Sequence, residues 1–430
     1  MKSRLYLSIL LSLFAFSGYA QTIGATIESA TMIDDTIRQI NRGATQSNSF
    51  LSDTVIHIIR NEAIAVSRQK QENPLRYSGQ LSGWAQYAPD LNMNFWMGGR
   101  YIPQLNYAIP LNNSGKIDFE ASANILGEMG AKLFSEADFD GNIKPYRAWV
   151  RYSTNRTELR FGLQKINFGS AQMLRPLMWF DSIDPRDPLQ LTDGVWALLW
   201  RYYFNNNTNI WLWGLYGNKN LRGMEIVAVE KQTPEVGGRI QIPIPRGEVA
   251  LSYHRRSADT PSLQRLGITL PFDRVGESRV GFDIRMDVGV GLWLEGSWTK
   301  FNQDLDMFTN QEIATLGTDF TFGIGNGLTT TFEHLVFSYD RNSFVFANIN
   351  NFSGLSLSYP INMFDSISAM AYYDWSGGSP YIFINWQKQF NSLTFYLMGY
   401  WNPKSYILPG QMGSNRFAGK GIQLMVVWNH

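Results

Sequence analysis

From about Leu75 to the end of the chain, stretches of about ten residues recur in which apolar and polar positions alternate. That is the period of an extended strand whose two faces meet different surroundings. Val280, Phe282, Ile284, Met286 and Val288 alternate with Asp283, Arg285 and Asp287, so one face is apolar and the other charged. Ile117, Phe119, Ala121, Ala123 and Ile125 stand opposite Asp118, Glu120, Ser122 and Asn124 in the same way. So do Ile240, Ile242 and Ile244 against Arg239 and Gln241, and Ile422, Leu424, Val426 and Trp428 against Gln423, Met425, Val427 and Asn429. The stretch Asn209–Leu215 is apolar on both faces. The pattern predicts about 18 strands, from one near 76–87 to one near 417–430, an even number.

The links between these strands alternate in length. Short ones fall at Ser153–Arg156, Asn205–Asn207, Pro243–Gly247, Asp287–Gly289, Gly325–Gly327, Pro360–Asn362 and Phe390–Ser392. Long polar ones lie around 128–141, 168–193, 218–234, 257–277, 302–311, 341–350 and 402–416, with a tight link near Ala88–Asp90 as the exception. Short turns at one end and long loops at the other are the signature of an outer-membrane barrel, and a soluble sandwich or propeller has no reason to sort its links this way. The reading is therefore an all-β protein, a transmembrane antiparallel β-barrel of about 18 strands, over residues 75–430. Closure pairs every strand edge that lipid would otherwise leave unsatisfied.

The first twenty residues agree with that destination. Lys2 and Arg4 precede an apolar run from Leu5 to Phe16 and then Ser17-Gly18-Tyr19-Ala20, the layout of a signal peptide cleaved after Ala20. No later run is long and apolar enough for a membrane-spanning helix, although 44% of the chain is hydrophobic. The expected location is the outer membrane of a Gram-negative bacterium. Residues 21–74 differ from the rest: Ile33, Ile37 and Ile40, then Ile56, Ile59, Ala63 and Val66, recur at helical spacing. They read as a periplasmic prelude or as a plug folded back into the lumen. Removing Lys2 and Arg4 from 37 basic residues leaves near parity with 36 acidic ones, so no nucleic-acid footprint exists. Cysteine is absent, so the fold closes without disulfides.

A barrel of this width encloses an aqueous channel. The expected function is then passive diffusion of small hydrophilic solutes, anionic ones among them, with outer-membrane lipid as the other partner and no cofactor. Arg147 and Arg151 on one strand with Arg160 on the next form a basic cluster near Asp118 and Glu120. Inward charges of this kind set selectivity, or merely keep the wall wet and pair with one another. The longest link runs from Phe168 to Asp193 and mixes Arg175 and Arg186 with Asp181, Asp184, Asp187, aromatics and prolines. It reads as an ordered loop that either narrows the pore or caps it from outside. The three aspartates could hold Ca²⁺, though their spacing is not that of an EF-hand. Arg147, Arg151, Arg160, Arg175 and Arg186 are the candidates for solute contact, with Asp118, Asp181, Asp184 and Asp187 shaping the field. The abundant Trp and Tyr are expected as girdles at the lipid interfaces rather than as a sugar slide.

Two other classes compete with the channel. A scaffold for a surface or secretion complex needs no open bore. A barrel-wall hydrolase needs a nucleophile or paired acids, yet His57, His254, His334 and His430 show no metal-ligand spacing, and His334 beside Glu333 reads as a solvated lumen histidine. No phosphate-cradling or nucleophile-elbow motif is present, so no enzyme is expected.

Arg160-Phe161-Gly162-Leu163-Gln164-Lys165-Ile166-Asn167-Phe168-Gly169, followed by Ile183-Asp184-Pro185-Arg186-Asp187, resembles the glycine-arginine-glutamine, tryptophan-glycine and asparagine-proline-aspartate pattern of alginate-export-like porins. Gly162, Gln164, Gly169, Pro185 and Asp187 match, while Leu163 and Phe168 stand where that family often has Arg and Trp. The resemblance implies an 18-stranded, monomeric barrel selective for anionic sugars through luminal arginines. The wealth of Asn, Trp and Tyr resembles porins of the Bacteroidetes.

Overall fold

The computed structural model describes residues 74–111, 114–132, 136–267, 269–404 and 417–430. The signal peptide and the 21–73 segment lie outside the described residues. Strands follow one another along the chain: β1 (Leu75–Tyr87), β2 (Phe95–Pro110), β3 (Lys116–Lys132), β4 (Glu136–Ser153), β5 (Thr157–Gln164), β6 (Val195–Tyr203), β7 (Asn209–Leu215), β8 (Ala228–Val229), β9 (Glu235–Ile244), β10 (Gly247–Asp259), β11 (Arg274–Asp287), β12 (Gly291–Phe301), β13 (Asn310–Phe322), β14 (Leu328–Asp340), β15 (Ile349–Pro360), β16 (Asp365–Asp374), β17 (Ser379–Phe390), β18 (Leu393–Trp401) and β19 (Lys420–Asn429). All pairings are antiparallel between neighbours, β7 pairs with β9, and β19 closes on β1. Gly79 and His430 exchange backbone hydrogen bonds of 2.9 and 3.0 Å at the seam. The two-residue β8, unforeseen in the sequence, lies within a link and pairs with the end of β10. The remaining 18 strands form the closed barrel, with every strand that the alternation predicted.

The alternation now has a spatial meaning. Phe282, Leu424 and Ile422 are exposed on the outer wall, whereas Asp283, Gln423 and Met425 are buried inside. A soluble protein would invert this arrangement, but in lipid the outer wall is the buried one. Tyr77, Tyr107, Phe119, Tyr152, Phe390 and Trp428 ring the outside at the end where β1 begins and β19 ends. Tyr87, Phe95, Phe139, Tyr216, Trp375 and Trp401 ring it at the far end. These are interfacial girdles. Many other aromatics point inward, among them Trp84, Trp179, Trp213, Trp293, Tyr372 and Phe383, which the girdle expectation did not anticipate.

Two link expectations are corrected. The long link around 128–141 is a β-hairpin, because β3 continues to Lys132 and β4 begins at Glu136 in register with it. Its polar residues read as a loop, but they sit on strands that rise past the start of β4–β5 pairing at Ala148. The free edge of β4 is guarded: Asp138 and Asp140 accept from the amides of Phe139 and Gly141 at 3.0 and 2.8 Å. Side chains that occupy edge amides discourage strand addition. Pro145 sits at a bulge in this strand, where Ser122 faces Arg147 and Ala123 faces Pro145, a place that tolerates a missing amide. The second correction concerns link length: at the far end β16 and β17 are joined by a turn at Trp375–Gly378, so not every far-end link is long.

Candidate functional site

The link between β5 and β6, residues 165–194, turns into the barrel. Its anchor is a pair of carboxylates on strands well removed from its roots, since β6, β7, β9, β10 and β11 separate β5 from β12 in the ring. Glu295 of β12 accepts from the backbone amides of Ser170, Ala171 and Leu177 at 2.7, 2.9 and 2.7 Å. Glu333 of β14 accepts from Gln172, Met173 and Leu174 at 2.6, 2.9 and 2.6 Å, and from the Trp293 indole at 3.1 Å. Consecutive amides converging on an anion form a nest, here filled by the protein's own side chains. Thr315 Oγ1 donates to the Leu174 carbonyl at 2.7 Å and the Trp179 indole donates to Ser297 at 3.0 Å. Both carboxylates are fully buried.

Two glycines of the motif make this path possible. Gly162 has φ +121°, and a Cβ there would lie 2.2 Å from the Ala148 carbonyl on β4. Gly169 has φ +103°, and a Cβ would stand 2.4 Å from Glu295 Oε2. Only glycine accepts both the backbone conformation and the approach. Gln164, fully buried, donates to the carbonyls of Arg160 and Ala197 at 3.2 and 2.9 Å, tying the last turn of β5 to β6.

Apolar residues of the segment explain the inward aromatics. Ile166, Phe168, Leu177, Trp179 and Phe180 pack with Val195, Ala197, Leu199, Trp213 and Leu215, and Phe168 stacks on Trp213 at 5.6 Å. This is why the Asn209–Leu215 stretch is apolar on both faces: one is exposed on the outer wall and the other meets the segment. Met173 and Leu174 join Trp84, Leu335, Phe352, Tyr372, Phe383 and Tyr400 in a second cluster. Two of the buried apolar clusters are thus places where this segment lies against the wall.

Each candidate residue has a definite place. Arg151 on β4 is bonded to Asp118 on β3 at 3.1 and 2.8 Å, and it stands in register opposite Arg160 on β5. Two like charges facing each other on one sheet face are unfavourable. Glu158 relieves this by sitting 3.8 Å from Arg151, 2.8 Å from Arg160 and 3.6 Å from Arg201 on β6. Arg147 serves the segment instead, donating to the Thr192 carbonyl at 3.0 Å. Arg175 and Asp181 form a pair inside the segment at 2.8 Å, and Arg186 is bonded to Asp184 at 2.7 Å with its guanidinium 5.2 Å from the rings of both Phe383 and Phe417. The Asp184-Pro185-Arg186-Asp187 turn is fixed by the Asp184 side chain accepting from the Arg186 amide, at 2.9 Å, and Asp187 accepts from the Leu189 amide at 3.0 Å. Among the described residues no cluster of His, Cys, Asp or Glu is arranged to hold a metal, and Asp181 and Asp184 are engaged by arginines.

The next inward link, between β7 and β9, is held by charge. Glu225 meets Arg222, Arg256 and Arg279 at 3.1, 3.1 and 2.8 Å; Glu235 meets Arg222 at 2.7 Å; Glu277 meets Arg256 at 2.6 Å. Burial alone would lower the Arg222 guanidinium, but Glu225 and Glu235 hold it above its ordinary value. In the first link the balance differs: burial, with Arg147 and Arg175 nearby, pushes the Lys165 ammonium below its ordinary value. His254 is buried beside this network, accepting from the Trp213 indole at 3.1 Å with its other nitrogen 3.2 Å from Glu235. His334 is a correction. It shares the outward face with Phe332 and bonds Ser353 at 2.9 Å, while Glu333 points inward, because adjacent strand residues face opposite ways.

Between the inward segment and the wall of β2–β4 a cavity of about 480 Å³ opens at the far end, lined by Arg100, Lys144, Asp187, Asp193, Lys219 and Arg222 among others. Sequence reasoning missed Glu295, Glu333, Glu158, Arg201 and the Arg222–Glu225 network. A signal existed for the first two: each is a lone carboxylate at an inward position of a strand otherwise apolar or neutral around it, in Trp293-Leu294-Glu295-Gly296 and Thr331-Phe332-Glu333.

No protein-family model matches the chain, and no curated protein matches it by sequence. Among solved structures it is similar to OmpT, an outer membrane protein of Vibrio cholerae, at 10% identity and a TM-score of 0.45, covering 83% of this chain and 99% of that one. It is also similar to an anion-selective porin from Comamonas acidovorans, at 10% identity and a TM-score of 0.43 over 83% and 99% of the two chains. A mutant of the Rh. blastica porin aligns at 12% identity and a TM-score of 0.41 over 83% and 100%.

Proposed function

We propose that this chain is a channel of the Gram-negative outer membrane, through which small hydrophilic solutes diffuse past a bore narrowed by residues 165–194. The observation that carries this reading is the six-amide clasp on Glu295 and Glu333, which holds a loop across the interior of a closed barrel whose inner wall is charged. A barrel serving only as an anchor has no need of a charged interior with a loop positioned inside it. The long links then face the exterior and the short ones the periplasm. Kinship with the alginate-export-like porins rests on Gly162, Gln164, Gly169, Pro185 and Asp187, whose structural roles are a left-handed turn, a strand tie and a fixed loop bend.

Solutes would meet Arg151, Arg160 and Arg201, which together with Lys116 and Arg147 outnumber Asp118, Glu120 and Glu158 and leave a positive sector on the wall of β3–β6. Arg147, Arg175, Asp181, Asp184 and Arg186 act one step back, by fixing the segment. Such a sector favours anions. Replacing Arg151 and Arg160 together with Gln removes two of these charges, and the reversal potential in a salt gradient should move toward cation preference. An unchanged potential in a conducting variant would remove these arginines from the solute path.

A further inference from the structure

On the outer wall near the far-end girdle, the seam between β19, β1 and β2 combines three features. The link Ala88–Asn94 is among the shorter ones at this end, and beside it Tyr87, Pro89, Asn94 and Phe95 line a cleft of about 490 Å³. Tyr87 and Phe95 are exposed on the lipid-facing side, their rings 4.9 Å apart. Two lysines gather around the same link: Lys404 lies 3.0 Å from Asp90, whose other oxygen accepts from the Lys420 amide at 3.2 Å. The Lys420 ammonium sits 4.3 Å over the exposed Trp401 ring. The hydrogen bond from Lys404 holds the Asp90 carboxyl below its ordinary value, so Asp90 stays charged and consumes one of the two positive charges. One net positive charge remains at headgroup height, directly beside an aromatic cleft that opens to acyl chains.

We propose that this seam binds a lipid with a phosphorylated headgroup, the phosphate held by Lys404 and Lys420 and an acyl chain laid against Tyr87 and Phe95. Cations at the membrane interface attract anionic headgroups, and an ammonium already placed over an aromatic face is fixed in position to do so. Trp401 and Tyr87 set the depth, as interfacial aromatics do. The inference requires the barrel to lie in a membrane but not to conduct, so its failure would leave the channel reading untouched.

The test is native mass spectrometry of the full chain, refolded in detergent micelles doped with bis-phosphorylated lipid A, with its dephosphorylated form, or with phosphatidylcholine. The expected result is retention of the phosphorylated lipid alone, reduced about tenfold in Lys404→Glu/Lys420→Glu and unchanged in Lys231→Glu, a surface lysine on the β7–β9 link. Equal retention by the double variant, or of the dephosphorylated lipid, would overturn the proposal. So would complete displacement by excess inorganic phosphate, which would mean that the lysines read a free anion rather than a lipid. Because the charge reversal places two glutamates near Asp90, a Lys404→Gln/Lys420→Gln variant with unaltered heat-modifiable migration is run in parallel and should show the same loss.

Discussion

Replacing Glu295 and Glu333 together with alanine should raise the single-channel conductance several-fold. The six amides of residues 170–177 are directed at these two carboxylates. Hydrogen bonds to charged groups are each worth about 1.5–3 kcal/mol, and an amide left buried without a partner costs a comparable amount. Without the carboxylates the inward position no longer satisfies the backbone, whereas exposure to water does. Packing of Phe168, Trp179 and Phe180 on Trp213 still holds the flanks of the segment, while its middle keeps only the apolar contacts of Met173 and Leu174 and the Thr315 bond, too little to balance six unpartnered amides, so the middle is the part that leaves. Glutamine at both positions keeps an acceptor oxygen and the side-chain volume, and should give an intermediate conductance. If the alanine variant folds, inserts and conducts as the parent does, the segment does not set the bore.

The second large effect falls on stability. Glu225→Ala removes the carboxylate that three arginines share, and Arg222, Arg256 and Arg279 are each nearly or fully buried. Glu235 and Glu277 remain to neutralise two of them, which leaves one positive charge uncompensated in the interior. Breaking a buried network in this way costs about 3–5 kcal/mol. The loss should be measured as a lowered free energy of unfolding from urea titration in lipid, together with heat-modifiable migration shifting to lower temperature. A variant with unchanged stability would mean that water, not protein, balances these arginines.

How much of this was readable from the residues depends on the physical range of each signal. Strand positions follow from a two-residue period set by different surroundings on the two faces, and the barrel strands other than β7 follow it, from Leu75–Tyr87 to Lys420–Asn429. Where the alternation fails, at Asn209–Leu215, a third environment is present: the inner face meets the folded-in segment rather than water. The β3–β4 hairpin reads as a loop because Glu128, Glu136, Asp138 and Asp140 are polar, and polarity marks a strand with water on both faces as readily as a turn. Site residues were legible by sign and not by partner. Arg151 and Arg160 could be placed on adjacent inward faces by counting, but Glu158 between them and the clasp on Glu295 depend on register across strands and on a loop path that no local pattern encodes. Gly169 is the nearest thing to a local clue, a residue that combines a left-handed backbone with a carboxylate where its side chain would be.

The central claim is that a conducting path passes the inward segment, and its most direct test is single-channel recording of the refolded chain in a planar bilayer. Stable open steps are expected, with a reversal potential in a salt gradient that indicates anion preference. Correctly folded, heat-modifiable protein that inserts without conducting would contradict it, and would mean that the barrel is closed and serves as a scaffold.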